Sequence, residues 1–162
     1  MANPADDRVG YPFTAFDFAV EIRLPGRSDD LCSAAFSECD GLEMTMDVKT
    51  IKEGGNNATL VRLPGQLGYG TLTLKRGMTA SFDLWDWFSA VVRDPTIRAD
   101  GEVVLFAPDR QTERVRFVLG RCLPTKLKAP ALNAKDGMVA IEELQLAYET
   151  MVMKPPEAGT RG

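Results

Sequence analysis

The sequence contains no histidine. That absence removes Ser-His-Asp and Cys-His nucleophile machinery, imidazole general bases and histidine-ligated zinc or iron. Cysteine is scarce and odd in number, so Cys32, Cys39 and Cys122 cannot form a complete disulfide framework. No pair has CxxC spacing, and Cys32 and Cys39 fall on opposite faces of one continuous strand. These positions read as reduced, buried or half-buried thiols. No apolar run approaches the ~18 residues that span a bilayer. The opening Met-Ala-Asn-Pro-Ala-Asp-Asp lacks the basic and apolar regions of a signal peptide, which points to folding in the cytoplasm. Basic excess is missing too. The formal net charge is −4, a poor match for nucleic acid.

What is present is globular. Hydrophobic residues are 44% and charged residues 26% of the 162 residues, enough for one domain with a real core. Residues 1–12 read as a flexible N-terminal arm, 13–153 as a β domain and 154–162 as a disordered tail. Phe16, Phe18, Val20, Ile22 and Leu24 alternate with Ala15, Asp17, Ala19, Glu21 and Arg23, the period of a half-buried strand. A second strand is expected over Leu31–Cys39. Leu42, Met44, Met46 and Val48 then alternate with Glu43, Thr45, Asp47 and Lys49. Glu53-Gly54-Gly55-Asn56-Asn57 is a turn, because Gly and Asn adopt left-handed backbone angles cheaply. A return strand is expected over Thr59–Leu63, stopped by Pro64-Gly65. The stretch 50–69 therefore reads as a long hairpin or arm. It carries Ile51, Leu60, Val61 and Leu63 among polar residues, yet an isolated hairpin is marginal in water.

Gly70–Arg76 reads as a short strand with Leu72 and Leu74 inward. Ser81–Arg93 reads as the one helix, with Leu84, Trp85, Phe88, Val91 and Val92 as its core stripe. Trp87 points elsewhere and is available to cover a sheet or partner. Thr79 or Ser81 is expected to cap the helix, and Asp83 and Asp86 suit its positive end. Pro95 stops it. Strands follow at 102–106, 114–119 and 138–153, with a bulge expected at Glu142-Glu143. The acid pair is otherwise unpromising for catalysis, since strand neighbours point to opposite faces. Arg121, Lys126 and Lys128 read as a basic loop cluster, open either to solvent or to an acidic neighbour. The glycine-rich stretches fit neither the P-loop nor the dinucleotide pattern. The fold class is mainly β, an antiparallel barrel or two packed sheets with one flanking helix and a projecting arm. No cofactor or metal site is expected, and unpaired strand edges point to self-association.

Several motifs carry a family resemblance when taken in order. Phe36-Ser37-Glu38-Cys39-Asp40-Gly41-Leu42 resembles an F-x-E-(V/C)-x-G-L signature. Glu53–Asn57 followed by Leu63-Pro64-Gly65 resembles a long-arm motif. Tyr69-Gly70-Thr71-Leu72-Thr73-Leu74-Lys75-Arg76-Gly77 resembles a Y-x-x-(L/I)-x-L-K-R-G strand, and a Trp-bearing helix follows. Pro130–Ala134 and Val139–Leu144 resemble the final loop and strand. Together they resemble the contractile phage tail tube proteins, including inner tubes of extracellular contractile injection systems, akin to the Hcp tube of type VI secretion. The resemblance implies a homo-hexameric ring, stacked into a tube and driven by a contractile sheath. It implies baseplate and tube-initiator partners, with protein cargo or phage DNA passing through the lumen. Specific nucleic-acid binding and membrane insertion are not expected. The arm that reaches the adjacent ring would be 49–69, with Ile51, Gly54, Gly55, Asn56, Asn57, Leu60, Val61, Leu63 and Pro64. Thr45, Asp47 and Lys49 would line the lumen or an interface. The competing readings are a monomeric β-barrel that binds a small apolar ligand, a histidine-free hydrolase using Asp83 or Glu142, and a tube initiator of the same family.

Overall fold

The computed structural model describes residues 17–26, 31, 36–55 and 58–156. The expected N-terminal arm, Cys32, Asn56, Asn57 and most of the C-terminal tail lie outside these residues. Nine strands and one helix run in the order β1 (Phe18–Arg23), β2 (Glu38–Asp40), β3 (Met44–Ile51), β4 (Val61–Tyr69), β5 (Thr71–Gly77), α1 (Asp83–Arg93), β6 (Ala99–Phe106), β7 (Glu113–Lys128), β8 (Ile141–Ala147) and β9 (Thr150–Lys154). Seven strands form one antiparallel sheet in the order β1-β6-β7-β8-β5-β2, with β9 also on β7, while β3 and β4 form a separate pair.

The long strand β7 belongs to both halves of this sheet. Its first part pairs with β6 and β9, and its last part, Leu123–Lys128, pairs with β8. The change occurs around Arg121, whose φ of 53° departs from extended backbone. The basic residues Arg121, Lys126 and Lys128 therefore sit in a strand, not in the expected loop. Among the described residues β1 and β2 remain unpaired with each other, so the sheet stays open and does not close into a barrel.

The inward faces of the two halves share one core. Val20, Ile22, Val103 and Leu119 from one half meet Leu72, Leu74, Leu144 and Leu146 from the other, together with Leu84 and Trp87 of α1. Period-two alternation produces this directly, since every second residue of β5 and β8 is buried. The bulge expected at Glu142-Glu143 does not occur. β8 pairs with β5 in unbroken register, and Glu142 takes an inward position beside Leu144 and Leu146. Val139 falls before β8 and is exposed.

Burying Glu142 requires a partner. Arg76, equally buried, donates from Nε to Glu142 at 2.5 Å and also pairs with Asp83 of α1. Trp85 Nε1 donates to the second Glu142 oxygen at 3.1 Å. The Arg76 guanidinium also lies 5.7 Å over the Phe36 ring. One guanidinium therefore joins β5, β8, the helix start and the segment before β2.

The helix faces inward through Leu84 and Trp87, with Val91 packed against the core. This corrects two members of the expected stripe. Val92 is 69% exposed, and Trp85 is half-buried at the helix margin with its indole turned to Glu142. Positions 84, 87, 88 and 91 complete a tighter helical period, and 85 and 92 fall to either side of it. The helix begins after Phe82 with no side-chain cap, so neither Thr79 nor Ser81 serves. Asp83 Oδ1 instead accepts from the Leu84 amide at 2.9 Å.

Both described thiols are free, and burial pushes them up: Cys39 to about 11, with Asp40 adding to the effect, and Cys122 to about 12, with Asp100 adding. The folded state therefore holds these protons after the unfolded chain releases them near 9.0. Their contribution to stability is complete below that value and is lost as pH rises through the folded values. Urea midpoints measured across alkaline pH should fall from about pH 9 upward, and Cys122→Ala should flatten that fall. Trp87→Ala should cost about 3–5 kcal/mol in the same assay. Trp85→Ala should cost less, because Trp85 is only partly buried whereas Trp87 is 1% exposed.

Candidate assembly surface

Among the described residues the β3–β4 hairpin is the least covered element. Every residue of β3 is exposed, as are most of β4. The expected arm began near Lys49, but the structure extends it back to Met44. Leu42 still packs against the core, whereas Met44, Met46 and Val48, of the same parity, are 55–59% exposed. Alternation continues after the chain has left the body, so periodicity alone does not mark the exit.

The return strand does not stop at Pro64-Gly65. β4 runs through both residues to Tyr69. The register steps between Met46↔Leu67 and Val48↔Pro64, so Asp47 opposes both Gly65 and Gln66. Pro64, which lacks an N–H, borders this bulge in register with Val48. A Cβ on Gly65 would lie 2.8 Å from the Asp47 carbonyl oxygen, so glycine is needed at this crossing.

The register assigns two faces to the ribbon. Met44, Met46 and Val48 share one face with Tyr69, Leu67 and Pro64. Thr45, Asp47 and Lys49 share the other with Gly68 and Leu63, and further out Ile51 and Val61 join this second face. The apolar surface thus lies on one face near the body and on the opposite face toward the tip. Gly54 and Gly55 form the tip turn, with Gly55 at φ 93°. Leu60 is exposed just before β4.

The base of the ribbon is fastened by Tyr148, a residue that composition gave no reason to select. Its hydroxyl donates to the Gly41 carbonyl at 2.8 Å and accepts from the Glu43 amide at 3.1 Å. Its ring lies 5.5 Å from that of Tyr69. Gly41 has φ 107°, and a Cβ there would meet the Thr71 carbonyl oxygen at 1.9 Å. Only glycine fits.

Nothing in this arrangement resembles a reaction centre. Glu142 and Asp83 are consumed by Arg76, and Glu143 points to the opposite face. Among the described residues no group of three or more cysteines, aspartates or glutamates is placed to hold a metal ion. No described helix is long and apolar enough to cross a membrane.

Among the described residues the antiparallel sheet is open at its edges and the β3–β4 ribbon carries exposed apolar side chains, the outline of a structural subunit. Residues 14–152 match the family described as T4-like virus tail tube protein gp19, and the chain belongs to that family. It is a structural tube protein and not an enzyme. A chain in the cryo-EM structure of the anti-feeding prophage (AFP) baseplate, 6-fold symmetrised, is 26% identical, with a TM-score of 0.80 over 91% of this chain and 98% of that one. A chain from the sheath-tube complex of an extracellular contractile injection system, PVC, in the extended state, is 20% identical, with a TM-score of 0.78 over 96% and 99%. An Hcp protein shares the fold alone at 15% identity and a TM-score of 0.52, over 88% and 94%. No curated protein sequence matches the chain.

If Tyr148 fixes the ribbon to the body, Tyr148→Phe should raise amide exchange at Glu43 and its neighbours while leaving β8 protected. Hydrogen–deuterium exchange by mass spectrometry reads this directly, and unchanged exchange would show that the hydroxyl is not the fastening.

Proposed function

We propose that the protein forms six-membered rings that stack into a hollow inner tube, surrounded by a contractile sheath and founded on a baseplate through tube-initiator proteins. The observation that carries this reading is the β3–β4 ribbon, whose Met44, Met46, Val48, Leu63 and Leu67 are exposed among the described residues. Apolar surface of this extent on a two-stranded ribbon gains stability by burial against another subunit. In the stack, Ile51, Gly54, Gly55, Asn56, Asn57, Leu60, Val61, Leu63 and Pro64 form the part of the arm that reaches the next ring. Thr45, Asp47 and Lys49, on the more polar face near the body, line the lumen or an interface. The lumen passes cargo without a specific site for it, and the overall negative charge keeps acidic cargo, including nucleic acid, from adhering. Rings assemble in the cytoplasm and become part of a phage-tail-like particle, with no cofactor and no insertion of the subunit into a membrane.

We favour an injection particle with protein cargo over a DNA-passing tail; the likeness at 26% identity to a chain from the anti-feeding prophage baseplate supports a phage-tail-like particle. The same likeness gives the second reading, a tube initiator. The two differ in outcome, because a main tube protein polymerises freely and an initiator stops at a ring.

Shortening the ribbon tests the reading. Met46 and Leu67 face each other, so removing 47–66 and joining these two residues by Asn-Gly leaves a shorter hairpin in register. The shortened protein should keep its circular dichroism spectrum and lose tubes in negative-stain micrographs. Tubes of normal length from this variant would remove the arm from the stacking contact.

A further inference from the structure

The half-sheet β7-β8-β5-β2 has one face in the core and one face that is wholly outside it. On the outer face the register lines up side chains across all four strands. Glu38 opposes Lys75, Lys75 opposes Glu143, and Glu143 opposes Lys128. This row alternates in sign from one edge to the other. One step along, Asp40, Thr73, Gln145 and Lys126 form a second row that is acidic at one edge, neutral in the middle and basic at the other. The first row is physically coupled: Lys75 Nζ lies 3.0 Å from Glu38. Glu38 first, and Glu143 behind it, hold the Lys75 ammonium above its ordinary pKa.

Both ends of these rows are open. Among the described residues β2 pairs only with β5, and Leu123–Lys128 of β7 pairs only with β8. Glu38, Asp40, Lys126 and Lys128 are all exposed. The half-sheet therefore presents an acidic open strand at one side and a basic open strand at the other.

We infer that the β7 edge of one copy, through Lys126 and Lys128, pairs with the β2 edge of a second copy, through Asp40 and Glu38, and that this charge match sets the ring junction. The inference rests on the ring reading above and names the surfaces that make it. Three features of the half-sheet favour it. It has an even number of antiparallel strands, so rotation about an axis along the strands brings β7 against β2 in antiparallel sense at every junction. In an antiparallel pair, Lys128 opposite Glu38 places Lys126 opposite Asp40, so both matches occur in one register. The alternating row then continues around the ring with no like-charge contact. Opposite charges across strands stabilise pairing and like charges oppose it, so the same edges also disfavour a junction of two β2 or two β7 strands.

The Asp40–Lys126 row is the one to perturb, because its inner neighbours Thr73 and Gln145 are neutral and the reversal leaves the chain's own pairs intact. Asp40→Lys alone places two lysines at each junction, and Lys126→Glu alone places two acids there. Each single variant should remain a folded monomer by circular dichroism and light scattering, and should need roughly tenfold or more protein than the native chain to form rings. An equal mixture of the two should recover assembly, since strict alternation restores opposite charges at every junction of an even-membered ring. Added salt should weaken native assembly. Single variants that assemble like the native chain, or a mixture that fails to recover, would overturn this edge pairing while native rings uphold the tube reading. A native protein that forms no rings at any salt would remove the tube reading and this inference together.

Discussion

The structure depends on keeping one buried positive charge paired. Arg76 sits in the interior, and an unpaired guanidinium there would cost more than the fold can spare. Its partners come from distant parts of the chain: Glu142 from β8, Asp83 from the helix and Phe36 from the segment before β2. Satisfying it fixes the helix against the sheet and the start of β2 against β5. The outer face of this half-sheet and the base of the ribbon inherit their positions from that arrangement. The surfaces proposed to meet other subunits are thus set by a polar contact in the core.

Much of this was legible in the sequence wherever one simple period governs. The alternation of Phe18–Leu24 and of Leu72 and Leu74 gave strands and inward faces correctly, because a half-buried strand has only two choices of face. The helix was legible as an element, but its inward tryptophan was not. Trp85 and Trp87 differ by a rotation that composition cannot rank, and the hydrogen bond to Glu142 decides it. Glu142 itself was obscured because an acid among leucines suggests a bulge until its partner is known. The Arg76 that accounts for it is 66 residues away.

The assembly surface was half legible. The glycine-rich turn and the apolar residues around it marked an arm, and the stacking role proposed above would give that arm a use. Its true beginning at Met44 was hidden, since alternation is the same whether a strand lies on a core or stands in water. Pro64-Gly65 looked like a stop, yet β4 runs through it with a bulge at Gly65-Gln66, because an exposed strand tolerates a missing N–H. The charge rows were beyond reach from sequence. Lys75, Glu143 and Lys128 become neighbours only through the pairing of three strands.

That same bulge has a mechanical consequence. The ribbon carries its apolar side chains on one face at Met44–Val48 and on the opposite face at Ile51 and Val61. A single flat surface can cover only one of them. Complete burial demands either a cleft that grips the ribbon from both sides or two separate molecules acting together. Docking on a lone subunit would then leave part of the ribbon wet, while docking on an already joined pair would not. In the proposed tube, addition to a finished ring would therefore be favoured over growth from scattered subunits, and such a fibre would lengthen one whole layer at a time.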